Sequence, residues 1–198
     1  MGVRAEQVSA YTNNKLQYLI QESGKNNKAI LAEIRKGVGK QPGELPKLWG
    51  ILFENMPEEM MGKGLYASKA EWAIYIALTL FAFHQQGHSV TDDCMHSSES
   101  SLGKAVAGLV TEEGKEERII RRFNSMATAD EISGVSYHLR NIIQLLRDDG
   151  LKIDYAGLAS DLYLYQFDDI APSVRLKWGQ DFYKELNAIN HKEDNSNE

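Results

Sequence analysis

The sequence contains a single cysteine, Cys94, so no internal disulfide can form. One cysteine among 198 residues is typical of a protein that lives in a reducing cytoplasm. No N-terminal segment combines a basic start, an apolar stretch and a small-residue cleavage site, and such a segment would be needed for export. We therefore expect a cytoplasmic protein.

Long apolar runs are missing as well. The most apolar stretch is Ala70–Phe83, with the sequence AEWAIYIALTLFAF. It is shorter than the ~20 residues that a membrane-spanning helix needs, and it contains Glu71. The stretch is predicted to be a buried core helix, and we expect no membrane partner.

Several catalytic motifs are absent. The sequence has no Gly-rich phosphate loop, no G-x-S-x-G elbow and no paired C-x-x-C. The acidic pairs Asp148–Asp149 and Asp168–Asp169 consist of adjacent residues, which do not face each other on a helix. We therefore expect no cofactor, and none of these patterns indicates a catalytic site.

Strand signals are scarce, because no long run alternates strictly and no Asn-Gly turn occurs. Apolar residues recur at helical spacing instead. The predicted fold is all-α, a compact bundle of roughly eight to nine helices. The predicted helix N-caps are Ser68 with Glu71, Thr128 with Glu131, Asp154 and Ser173.

The domain organisation is expected to be simple. A composition of 42% hydrophobic and 25% charged residues is ordinary for a globular protein, which predicts one helical domain over residues 1–190. Residues 87–101 are polar and Ser-rich, and we expect an exposed loop at which two small helical lobes could separate. The polar tail, residues 191–198, is predicted to be disordered.

Charge is unevenly distributed along the chain. The formal net charge is −6, yet residues 1–50 contain eight Lys and Arg against four Asp and Glu, a net +4. The remainder therefore carries −10. Because charges act locally and are screened within about 10 Å, a basic surface on this acidic chain can still meet an acidic ligand.

The segment KEERIIRRF, residues 115–123, is the densest cationic cluster. A helix turns about 100° per residue, so its four cations fall within an arc of about 120°. The apolar residues fall on a separate arc, which predicts an amphipathic helix with a cationic outer face. The four cations are Lys115, Arg118, Arg121 and Arg122.

Other cations could extend this face, because arginine binds phosphate through two parallel hydrogen bonds and never loses its charge. They are Arg35, Lys36, Lys40, Lys104, Arg140, Arg175 and Lys177. Two other readings stay open: a solvated face with local ion pairs, and a purely structural scaffold whose cations bind protein carboxylates.

A loop rich in histidine suggests a different chemistry. His84, His88, Cys94 and His96 are residue types that bind zinc, so a metal-dependent hydrolase is an alternative. The metalloprotease pattern, however, requires Glu after the first histidine, and Gln85 stands there. Roles in loop structure and helix capping are the favoured interpretation.

The order of several segments resembles the CasB-type small subunit of the type I-E CRISPR Cascade complex. The segments are SLGKAVAGL, EERIIRRF, TADE, HLRNIIQLLRDDGLKIDYAGLASDL and VRLKWGQDFY. The resemblance runs from about Lys28 to Tyr183, and it rests on the ordered set at family spacing rather than on one motif.

This resemblance implies an all-helical, non-catalytic subunit of an antiviral defence complex. It also implies as partners the other Cascade subunits, a second copy of the chain, guide RNA and target DNA. A basic surface would hold the strands of the R-loop. Since this chain is acidic overall, we expect it to act mainly inside the assembled complex.

The resemblance assigns nucleic-acid binding to the cations that stand in matching segments. These are Arg35, Lys36, Lys104, Arg118 and Arg140. Helical geometry and local charge add Lys40, Lys115, Arg121, Arg122 and Lys177 to the predicted site.

Overall fold

The computed structural model describes residues 3–21, 25–110 and 116–196, and most of these residues are helical. Its α-helices are α1 (Ala5–Gln21), α2 (Lys25–Arg35), α3 (Trp49–Phe53), α4 (Lys69–His84), α5 (Leu102–Ala107), α6 (Glu116–Ala127), α7 (Ile132–Asp148), α8 (Tyr155–Tyr165) and α9 (Ala171–Ser196). Two 3₁₀ helices, Pro46–Leu48 and Glu58–Met60, flank α3. The β pairing within these ranges is one isolated bridge between His96 and Ile153. The all-α prediction is confirmed.

Helix α4 is the centre of the fold, because nearly its whole circumference is buried. It packs against α1, α2, α7 and α8. The predicted capping box starts it: the Ser68 hydroxyl accepts a hydrogen bond from the Glu71 amide at 3.0 Å, and the Glu71 carboxylate accepts one from the Ser68 amide at 2.5 Å. None of the helices in the described ranges is long and apolar enough to cross a membrane.

Two predicted caps are wrong. The Thr128 hydroxyl donates to the Asn124 carbonyl at 2.8 Å, so it closes the last turn of α6 instead of opening α7. Helix α9 begins at Ala171, which makes Ser173 an early helical residue rather than a cap. Helix α7 thus begins later than predicted, at Ile132, and α9 begins earlier, at Ala171.

The loop after α4 is anchored to the protein. The Gln85 side chain accepts a hydrogen bond from the Met95 amide at 2.9 Å, and Met95 is fully buried. The Asp154 amide donates to the Ser100 carbonyl at 2.7 Å, and the Asp154 carboxylate caps α8 as predicted. The expectation of an exposed loop therefore fails around Met95.

Helices α5 and α9 approach each other closely at Gly103. A Cβ atom added there would lie 2.9 Å from the Phe182 amide nitrogen, and closer still to the Trp178 carbonyl oxygen. This contact fixes α5 directly on the backbone of α9. The division of the chain into a domain over residues 1–190 and a tail stays a prediction.

Candidate nucleic-acid interface

An open groove of about 500 Å³ runs along α4, between the turn that follows α2 and the first half of α7. Three predicted site residues, Arg35, Lys40 and Arg140, line this α4 groove. The packing of α2 and α7 against α4 thus brings together cations from opposite halves of the sequence. The lining also includes the aromatic residues Trp72, Phe83 and Tyr137 and the carboxylate of Glu44.

The turn after α2 is anchored to α4 through Gly37. The Tyr75 hydroxyl donates to the Gly37 carbonyl at 3.0 Å, and burial raises the pKa of Tyr75 to about 12. A Cβ atom on Gly37 would come within 2.7 Å of that hydroxyl, so only glycine fits. The end of α2 and this turn therefore place Arg35 and Lys40 in the lining of the α4 groove.

Helix α7 supplies the opposite wall. Ser133, Ser136, Tyr137 and Arg140 follow the i, i+3, i+4, i+7 spacing of one helix face. Tyr137 is 63% exposed, so its ring is open to a ligand. The buried face of the same helix consists of Val135, Leu139, Ile142, Ile143 and Leu146.

The aromatic ring of Phe83 contacts two arginines of α7. The guanidinium carbons of Arg140 and Arg147 lie 5.7 Å and 4.9 Å from the centre of its ring, which is the range of a cation–π contact. Arg147 also lies 3.6 Å from Asp148. Sequence reasoning missed Arg147, although its position seven residues after Arg140 places both on one helix face.

A second cavity, of about 760 Å³, adjoins the α4 groove. Arg35 and Gln86 line both cavities, and Lys28 and His88 line only the second. Lys28 is a further cation that the site prediction omitted. The two cavities together form a trough with Arg35 between them.

Two other predicted site residues contact the protein itself. The Lys36 amine lies 2.5 Å from the Glu33 carboxylate, an ion pair that lowers the pKa of Glu33. The Lys104 amine donates to the Glu99 carbonyl at 3.4 Å. Neither residue lines the α4 groove. Their roles in nucleic-acid binding stay predictions.

Helix α6 has the predicted two-sided character. Arg118, Arg121 and Arg122 are exposed, while Ile119 and Phe123 are buried. The arginines are not among the residues that line the α4 groove. The prediction of one continuous basic surface is therefore untested, and Lys115 lies outside the described residues.

Lys177 belongs to a polar cluster between α8 and α9. Its amine lies 2.7 Å from one oxygen of Asp161, and the Trp178 indole donates to the other oxygen at 2.8 Å. Asp161 is buried, which raises the pKa of its carboxyl, and the bonds from Lys177 and Trp178 lower it part of the way back. Lys177 therefore offsets a buried negative charge.

We expect Lys177→Ala to lower the free energy of unfolding by about 1 kcal/mol, because it leaves a buried carboxylate with one partner fewer. The effect is modest because the Lys177 side chain is half exposed. Urea unfolding at pH 7 measures it. In an Asp161→Asn background the same substitution should cost much less, and an equal cost in both backgrounds would contradict the pairing.

His84 and His96 both serve the start of α8 rather than a common metal site. His84 Nδ1 lies 2.8 Å from the Tyr155 hydroxyl, and His96 Nδ1 accepts a hydrogen bond from the Tyr155 amide at 3.2 Å. Burial lowers the pKa of both imidazoles. The two histidines therefore contact opposite ends of one buried tyrosine.

The other two members of the proposed zinc set also have local partners. His88 Nδ1 lies 2.7 Å from the Asp93 carboxylate, which also pairs with Lys152 at 3.4 Å. The Cys94 sulfur accepts from the His96 amide at 3.5 Å. In the described part of the chain, no group of three or more His, Cys, Asp or Glu residues is arranged to hold a metal ion. The geometry favours loop structure over metal chemistry.

Comparisons with known proteins identify a family that matches most of the chain. The family model for CRISPR-associated protein Cse2 matches residues 30–183. The crystal structure of CasB from Thermobifida fusca matches with 32% identity and a TM-score of 0.72, and the match covers 89% of this chain and 97% of that one. No curated protein sequence matches the chain.

Two more distant structures share the fold. CasB from M. ruber is 24% identical, with a TM-score of 0.64 over 91% of this chain and 97% of that chain. A chain of a structure described as a CRISPR RNA-guided surveillance complex is 21% identical, with a TM-score of 0.66 over 95% of this chain and 98% of that chain.

Proposed function

The chain belongs to the Cse2 (CasB) family of CRISPR-associated proteins, and on that premise we propose that it is a non-catalytic subunit of a type I-E CRISPR surveillance complex. We infer that it works in the cytoplasm beside the other Cascade subunits and a second copy of itself. Its ligands would be the guide RNA, the target DNA and the displaced strand. The similarity to a chain of a surveillance complex supports this assignment.

One observation carries the nucleic-acid part of the proposal: Arg35, Lys40 and Arg140 converge on the α4 groove from separate segments. Arg140 and Lys40 are exposed, so both can reach phosphate. Glu44 is the carboxylate in the same lining, and it weakens anion binding without cancelling three cations. The exposed arginines of α6 would add a second stretch of backbone contact.

The proposed mechanism is the binding of nucleic-acid strands and involves no chemical step. Exchange of a DNA duplex for a guide–target heteroduplex is nearly balanced in free energy, so a few backbone contacts can decide whether the open state persists. Each phosphate that the chain neutralises releases counterions, so binding weakens steeply with salt. Contacts to phosphate position a strand without reading its bases, and we therefore expect little sequence preference.

The test replaces Arg35 and Arg140 together in the assembled complex. Arg35→Ala/Arg140→Ala should shorten the R-loop lifetime about tenfold, because charge-assisted hydrogen bonds to phosphate are lost. The slope of log affinity against log salt should become shallower by roughly one to two. A DNA filter-binding or single-molecule R-loop assay at several salt concentrations measures both.

A matched control removes the same charge elsewhere. Lys47 and Lys63 are exposed and lie outside the α4 groove, so Lys47→Ala/Lys63→Ala should leave lifetime and salt slope unchanged. In the same assay, Arg118→Glu/Arg121→Glu/Arg122→Glu tests the α6 face. If the groove and α6 variants both assemble and both keep the normal R-loop lifetime at low salt, the chain is a scaffold subunit instead.

A further inference from the structure

The α4 groove combines cations with aromatic surface, and this combination indicates what kind of nucleic acid fits. Phosphate binding alone needs only Arg35, Lys40 and Arg140. The same lining holds Trp72, which is half-buried, and Tyr137, which is 63% exposed. An exposed tyrosine next to arginines is a surface on which a base can stack.

Phe83 plays a different part from these two rings. Its ring is already in contact with the guanidinium groups of Arg140 and Arg147. Those contacts restrain the two cations on α7, where Arg140 shares a helix face with Tyr137. Phe83 is therefore a positioning residue, and Tyr137 and Trp72 are the other two rings of the lining. The Tyr137 ring has a T-shaped contact with the His138 ring, at 5.4 Å between centroids, and the side chain remains 63% exposed.

From this arrangement we propose that the α4 groove seats an unpaired nucleotide, with its base against Tyr137 and Trp72 and its phosphates on Arg35, Lys40 and Arg140. A duplex cannot use such a site, because its base faces are stacked on one another. A groove of about 500 Å³ lies within the roughly 300–1,000 Å³ of pockets that enclose small ligands. The inference rests on the proposed function, since it names which form of nucleic acid the groove holds.

Polar groups in the lining suit the edge of a base. The hydroxyls of Ser133 and Ser136 and the amides of Gln41 and Gln86 offer donors and acceptors, and Glu44 can accept from an exocyclic amine. Every base has a face that can stack, so these groups would modulate affinity without imposing a strict sequence. The unpaired nucleotide can come from the displaced DNA strand or from the guide RNA.

The test separates stacking from charge. In the assembled complex, Tyr137→Ala should shorten the R-loop lifetime five- to tenfold, and Tyr137→Phe should restore it, because stacking of a base on an aromatic ring contributes about 1–3 kcal/mol. The salt slope should stay unchanged in Tyr137→Ala, whereas Arg35→Ala/Arg140→Ala lowers it. A merely structural role for Tyr137 would appear as loss of this chain from the purified complex.

Photocrosslinking identifies the source of the nucleotide. One R-loop carries 4-thiothymidine in the displaced strand, and another carries 4-thiouridine in the guide RNA. Mass spectrometry should find a crosslink on Tyr137 or Trp72 in one of the two. If neither gives one and Tyr137→Ala matches the parent chain while the arginine variant does not, stacking is overturned and the proposed function stands. If the arginine variant and the α6 variant are also unaffected, both the stacking inference and the proposed function fail.

Discussion

Gly103→Ala is expected to destabilise the chain by about 3 kcal/mol, which is the upper end of the range for overpacked sites. The added methyl group would meet backbone atoms of α9 rather than flexible side chains, at 2.9 Å for the Phe182 amide nitrogen. Backbone cannot move aside without separating α5 from α9. For a chain of this length the melting temperature should fall by about 6–12 °C, measured by circular dichroism.

Gly179→Ala is the matched control, because Gly179 also lies in α9 and an added Cβ would meet nothing within 4 Å. Alanine is about 1 kcal/mol better than glycine within a helix, so this variant should be neutral or slightly stabilised. Equal melting temperatures for the two variants would mean that α5 and α9 are not in backbone contact at Gly103.

We expect acid to lower the free energy of unfolding, because the buried imidazole of His84 resists protonation in the folded state. This imidazole is fully buried, and burial lowers its pKa from 6.5 to about 4, with smaller contributions from the charges of His88 and Arg147. Because the folded pKa lies below the unfolded one, the stabilising contribution is present above pH 6.5 and is lost as the pH falls toward 4. Between pH 7.5 and pH 4.5 we expect a loss of roughly 2–3 kcal/mol in the free energy of unfolding.

His84→Gln isolates this contribution, because glutamine does not titrate. The variant should be less stable than the parent at pH 7.5, since the hydrogen bond between His84 and the Tyr155 hydroxyl is disturbed. Its further loss of stability at pH 4.5 should be smaller by roughly 2–3 kcal/mol. Urea unfolding at the two pH values measures both, and equal acid losses in the two proteins would show that His84 is not a buried neutral base.

Local features of the fold could be predicted from the sequence, because neighbouring residues determine them. The Ser68 capping box, the Asp154 cap and the two-sided α6 all follow from spacing of four residues or fewer. The prediction of Thr128 as an N-cap was wrong because a threonine hydroxyl can accept from an amide later in the chain or donate to a carbonyl earlier in it. Here it donates to the Asn124 carbonyl at the end of α6.

The candidate site could be predicted only in part. Arg35 and Arg140 were identified as cations, but their meeting across α4 depends on how three helices pack, and no local pattern encodes it. The ion pair between Lys177 and Asp161 could not be recognised from the sequence, because Asp161 lies sixteen residues earlier, on another helix. Lys177 was therefore predicted as a site residue. Tyr137 was missed, although its helical register with Arg140 was visible in the sequence.

The α4 groove is a small cationic surface on a chain of net charge −6. At physiological ionic strength its cations act over about 8 Å, so they attract nucleic acid only after it is close. Under the proposed function, a complex that already holds guide and target would present a strand to this subunit at a high effective concentration, which free DNA would not reach. Weak, short-range contacts would then suffice to retain that strand, and they would collect little unrelated nucleic acid from solution.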